Sequence, residues 1–79
     1  MSGATNDLPE AIKRQAEKIL HEIKFSGSMI HAVKNGAKAQ GFILGLTCCG
    51  ALSPERCELL SSHFDTEVEK RLRALTVGP

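Results

Sequence analysis

The side chains best suited to metal or thiol chemistry are three cysteines and a histidine in the second half of this 79-residue chain. Their spacing is C-C-x7-C-x5-H, formed by Cys48, Cys49, Cys57 and His63. Structural zinc sites usually present ligands in pairs about two to four residues apart, whereas adjacent residues of a helix point in different directions. The spacing therefore favours buried cysteines that pack as small apolar residues, and we expect no metal.

The alternative for these cysteines is a reactive thiol. Cys48 and Cys49 precede Gly50, a residue type that commonly ends helices. The negative end of a helix dipole opposes formation of a thiolate, which disfavours a nucleophile at this point. The odd number of cysteines and the lack of an N-terminal apolar signal segment predict a reduced, cytoplasmic protein.

No arrangement of acids, bases or glycines indicates an enzyme. None of the three histidines stands with a Ser or Cys and an acid in a recognisable nucleophile motif. Asp65, Glu67 and Glu69 lie opposite the apolar side of one predicted helix, as solvated carboxylates do. The glycines are too widely spaced for a phosphate-binding loop. We therefore expect neither catalysis nor a cofactor.

The middle of the chain is mildly basic, although the net charge is only +1. No Asp or Glu occurs between Ile23 and Pro54. A helix N-terminus near residues 26–28 would also favour an anion such as a nucleotide. The candidate anion-binding residues are Lys24, Ser28, His31, Lys34 and Lys38. The alternative is that these are ordinary solvated side chains.

Residues 50–56 have a superficial likeness to the turn of a DNA-binding helix-turn-helix. The recognition helix would then be 54–62, which carries one Arg and two acids. Phosphate contacts need cationic or amide donors along the exposed face, and this segment has few. A DNA-binding regulator is kept as an alternative function.

Two helices are predicted from caps and apolar spacing. Helix one covers about 8–24, with Asp7 as a cap, Pro9 in the first turn and an apolar residue every three or four positions. Helix three begins after Ser53, with Pro54 at its first position. Its apolar stripe averages 3.6 residues per step. Glu67 with Arg71, and Glu69 with Arg73, are predicted ion pairs elsewhere on the same helix.

Helix two is predicted over about 28–49 and contains a ladder of small residues. Asn35-Gly36 is a turn signal that could bend or end it, and 41–47 could instead form a strand. No second strand exists to pair with that segment, so a helix is preferred. The ladder places one small residue every four positions, at Ala37, Gly41, Gly45 and Cys49.

The ladder predicts close packing against another helix. Glycine costs about 1 kcal/mol in a helix interior, so its repeated use needs a compensating contact. Helices one and three of the same chain could fill the ladder, or a second copy could. Because helix two is apolar nearly all round, two flanking helices would leave part of it uncovered. We expect the ladder residues to mediate self-association, with a dimer favoured.

The predicted fold is all-α, an antiparallel three-helix arrangement with a central apolar, glycine-containing helix completed by oligomerisation. The single domain covers 7–76, between a disordered tail at 1–6 and a frayed end at 77–79. The apolar run 41–52 is too short to span a bilayer, so no membrane partner is expected. We expect a small interaction protein that modulates another macromolecule, most readily a protein.

Overall fold

Three α-helices follow one another along the chain, and the predicted all-α three-helix fold is confirmed. The computed structural model describes residues 8–77. The helices are α1 (Glu10–Lys24), α2 (Met29–Cys48) and α3 (Pro54–Val77). The predicted tail at 1–6, the proposed Asp7 cap and residues 78–79 lie outside the described residues.

The helix boundaries follow local capping chemistry. The Ser28 hydroxyl accepts a 3.2 Å hydrogen bond from the His31 amide, and the Ser53 hydroxyl accepts one of 3.3 Å from the Arg56 amide. Gly50, at φ 67°, ends α2, where the amides of Gly50 and Ala51 bond back to the carbonyls of the last turn. Only a glycine adopts this left-handed conformation without a steric penalty. These caps fix where α2 stops and α3 starts.

The core lies where all three helices meet. Its largest fully buried side chains are Ile19 and Ile23 from α1 and Leu60 and Phe64 from α3. The Phe64 ring packs edge-on against Phe42 of α2, with centroids 6.4 Å apart. On α2 the buried residues are Ala32, Ala39, Ile43 and Leu46. The core side of α2 is therefore distinct from the side that carries the ladder.

A buried polar network ties the α1–α2 turn to the other helices. The Ser26 hydroxyl donates to the Glu22 carbonyl at 2.8 Å, and the Asn35 amide nitrogen donates to both residues. Arg71 of α3 donates from Nε to the Ser26 carbonyl at 2.8 Å. The predicted Glu67–Arg71 ion pair is therefore not formed, and Glu67 pairs with Lys70 instead.

Asn35-Gly36 does not interrupt α2, because both residues have partners elsewhere in the fold. Asn35 closes the preceding turn, as described above. Gly36 faces α3, where an added Cβ would lie only 3.1 Å from Cγ2 of Val68. This glycine permits α2 and α3 to approach closely, and α2 runs through the position without a break.

We expect Asn35→Ala to lower the free energy of unfolding by about 1 kcal/mol. The substitution removes the donor shared by Glu22 and Ser26, and the better helix propensity of alanine offsets part of the loss. Urea unfolding followed by circular dichroism measures the change, with the exposed Thr66→Ala as the matched control. Equal midpoints for the two variants would contradict a structural role for the Asn35 network.

Candidate interaction surface

One side of α2 is apolar, uncharged and open to solvent. We call it the outward face; it consists of six exposed residues at steps of 3, 4, 4, 3 and 4, namely Ile30, Val33, Ala37, Gly41, Leu44 and Cys48. Such steps place the residues along one side of a helix. Ile30 is 69% exposed and Leu44 63% exposed, values unusual for large apolar side chains. The outward face is thus the principal apolar surface that the described chain leaves uncovered.

The four ladder residues lie on or beside this face and are all exposed. A Cβ added to Gly41 or Gly45 would meet no atom within 4 Å. The alternative in which helices one and three fill the ladder is therefore wrong. Gly36, which the ladder does not include, is the glycine of α2 that packs against the same chain.

In the C-terminal half of α2, large side chains lie on the inward side. Ile43 and Leu46 are large enough to reach Phe64 and the other core residues, and they are buried. Glycine and alanine on the opposite side would leave voids in that position, at a cost that grows with cavity volume. In this half of the helix, the side with Gly41 is left at the surface, together with Leu44.

The two flanks of the outward face carry opposite charges. On the flank towards α1 are Lys34 and Lys38, and the Lys38 ammonium pairs with the Glu22 carboxylate of α1 at 2.8 Å. On the flank towards α3, Asp65 and Glu69 line a shallow groove together with residues of the outward face. On this flank, Gln40 of α2 donates a hydrogen bond from its side-chain nitrogen to the Asp65 carboxylate of α3 at 3.0 Å. The surface is an uncharged strip between a basic edge and an acidic edge.

The five predicted anion-binding residues do not share one site. His31, Lys34 and Lys38 lie along the basic flank, at helical steps of three and four. Ser28 is engaged in capping α2. Lys24 lines a different groove, which it shares with four α3 residues, two of them cationic: Glu67, Lys70, Arg71 and Ala74.

A compact apolar cluster extends the outward face at the N-terminal end of α2. Phe25, Met29, Ile30 and Val33 are each at least half exposed. The Phe25 ring packs against the His21 ring in a tilted arrangement, with centroids 4.6 Å apart. Sequence reasoning missed this cluster and the acidic flank, because both depend on how α1 and α3 pack beside α2.

Two of the three cysteines are not buried, which corrects the sequence-based expectation. Cys48 and Cys49 are exposed at the end of α2, and only Cys57 lies in the core. The core-facing positions near the C-terminal end of α2 are instead those of Ile43 and Leu46. Within the described residues, no group of three or more metal-ligating side chains comes together.

Comparison of the chain with protein-family models, curated proteins and solved structures gives no match. Among residues 8–77, no helix is both long enough and apolar enough to cross a bilayer.

The Glu22–Lys38 ion pair predicts a measurable titration shift. The hydrogen bond from Lys38 holds the pKa of Glu22 below its ordinary value of 4.5. Its stabilising effect is therefore present above about pH 4.5 and is lost as the pH falls through the lower, folded-state pKa. We expect Lys38→Met to raise the Glu22 titration midpoint, measured by NMR of the side-chain carboxyl carbon. An unchanged midpoint would show that the pair does not persist in solution.

Proposed function

We propose that this chain is a small, non-enzymatic interaction protein that self-associates through the outward face of α2 and modulates another macromolecule by binding it. The observation that carries the proposal is the uncharged strip from Ile30 to Cys48, which the chain leaves in contact with water. Large contiguous apolar patches on soluble proteins commonly mark interaction sites. A dimer is the assembly we favour.

The energetics support self-association. A 79-residue chain buries a modest fraction of its surface, so its own core provides limited stability. Burial of a leucine or isoleucine side chain contributes about 1.5–3 kcal/mol. Ile30 and Leu44 make little of this contribution in the single chain, because both are largely exposed. Association would recover it.

The glycines of the ladder support close contact between helices. Gly41 and Gly45 each cost α2 about 1 kcal/mol relative to alanine. Neither position is crowded within the chain, so alanine would fit there. Gly36 leaves space for Val68 of α3 to approach α2. Gly41 and Gly45 would leave the same kind of space for a partner helix.

The macromolecule that such a dimer would bind is proposed to be a protein, in a reducing cytoplasm compatible with three free thiols. A DNA-binding regulator and a nucleotide-type anion binder are the alternatives from the sequence. The anion alternative loses support, because Lys24 lies apart from the basic flank and Lys38 is paired with Glu22. Thermal melts with duplex DNA and with nucleotides distinguish the three, since only a bound ligand raises the melting temperature.

We expect Leu44→Glu to weaken the dimer at least about 100-fold, because two leucines would leave the interface and two charges would enter it. Sedimentation velocity over a concentration series measures the dissociation constant. The matched control is Leu59→Glu on α3, since Leu59 is 64% exposed against 63% for Leu44 and lies outside the outward face. Both variants should fold, as judged by their melts.

Gly41→Leu tests the close approach separately. Leucine is a better helix former than glycine, and its Cβ at this position would meet no atom within 4 Å, so the monomer should gain stability. The dimer should weaken, because overpacking of a close contact costs about 1–3 kcal/mol. Equal dimer affinities for the unaltered chain, Leu44→Glu and Gly41→Leu would place any self-association elsewhere on the molecule.

A further inference from the structure

We propose that the partner on the outward face is a second copy of this chain, packed with its α2 parallel to the first and the two-fold axis running along the helices. This inference rests on the proposed self-association and specifies its geometry. It is carried by the opposite charges on the two flanks, which the backbone fold brings together from separate parts of the sequence. The small residues of the ladder allow the contact but do not determine its direction.

Two symmetric arrangements place the outward faces together. If the two-fold axis runs along α2, the helices are parallel and each flank lies over the opposite flank of the other copy. If the axis runs across α2, the helices are antiparallel. Each flank then lies over the same flank of the other copy. The same geometry governs flanking positions in coiled coils, where charges on the flanks set partner orientation.

The charges of this surface favour the parallel arrangement. There, the basic edge of one copy meets Asp65 and Glu69 on the acidic edge of the other. Lys34 supplies the positive charge that has no partner within the described part of its own copy, since Lys38 is already paired with Glu22. In the antiparallel arrangement lysines would face lysines and carboxylates would face carboxylates. Juxtaposed like charges are an effective means of excluding one orientation, even where each attractive pair adds little affinity.

The heights of the charged groups along α2 agree with this pairing. Val68 contacts Gly36, and Asp65 accepts a hydrogen bond from Gln40, so the acidic edge lies beside residues 36–40 of α2. The basic edge lies at Lys34 and Lys38, at nearly the same height. A two-fold axis parallel to α2 places residues of the two copies that have the same position along the helix axis next to each other. Lys34 would therefore lie opposite Glu69. Neither residue has an ion-pair partner among residues 8–77.

Residues along the midline of the outward face, from one end of α2 to the other, would lie beside their own copies in the parallel dimer. Cys48 is one of them, and its exposed thiol makes it a probe. In an antiparallel dimer centred on 37–41, the two Cys48 residues would be separated by more than about 20 Å along the helix axes. A disulfide requires Cα atoms within about 7 Å.

The first test is a charge exchange between the two edges. In the parallel dimer, Lys34→Glu and Glu69→Lys should each weaken association about three- to tenfold, and the double variant should restore it. In the antiparallel dimer each single change would relieve repulsion and strengthen association. Sedimentation velocity at low salt measures all four proteins, and tighter single variants would overturn the proposal.

The second test is oxidative cross-linking with copper phenanthroline and air. Cys49→Ser, which keeps Cys48 on the outward face, should form a covalent dimer on a non-reducing gel. The matched control Cys48→Ser keeps Cys49, about 100° round the helix, and should cross-link much less. A chain of dimeric mass with no Cys48 cross-link would overturn the parallel geometry alone. A chain that remains monomeric at all concentrations would overturn the proposed function as well.

Discussion

The structure depends on the way in which α2, a helix with two apolar sides, packs against the other two helices of residues 8–77. Ile43 and Leu46 turn one side of α2 into the core against Phe64, and this commits the opposite side to the surface. Among residues 8–77, neither α1 nor α3 covers it. The exposed outward face is thus a consequence of the fold, and the proposed self-association follows from the cost of leaving it in water.

The glycines of α2 show two different uses of the same residue type. Gly36 lets α3 approach, because a side chain there would press on Val68. Gly41 has open space in front of it and gains nothing from the rest of the chain. Since glycine is unfavourable inside a helix, a glycine such as Gly41 indicates a contact that a single copy does not make. The charged flanks then determine which orientation that contact can take.

Much of the fold could be predicted from the sequence because the residues that begin and end its helices act locally. Ser53-Pro54 and Gly50 set the α2–α3 connection through their own backbone chemistry. The inward side of α2 could not be predicted, since a helix apolar all round has no single preferred face. The ion pair expected for Arg71 was wrong for a similar reason: its guanidinium reaches the Ser26 carbonyl, a partner 45 positions away that helical spacing does not reveal. The acidic flank of the outward face likewise exists only once α3 has packed.

The mass of the unaltered chain in solution tests the central claim most directly. Sedimentation equilibrium across a wide concentration range should show a reversible transition from 8.5 kDa to twice that value. Over the same concentration range, the amides and side chains of the outward face should become protected from solvent. A single species of 8.5 kDa at every concentration would contradict the account, because the apolar strip on α2 would then be stable in water without a second copy.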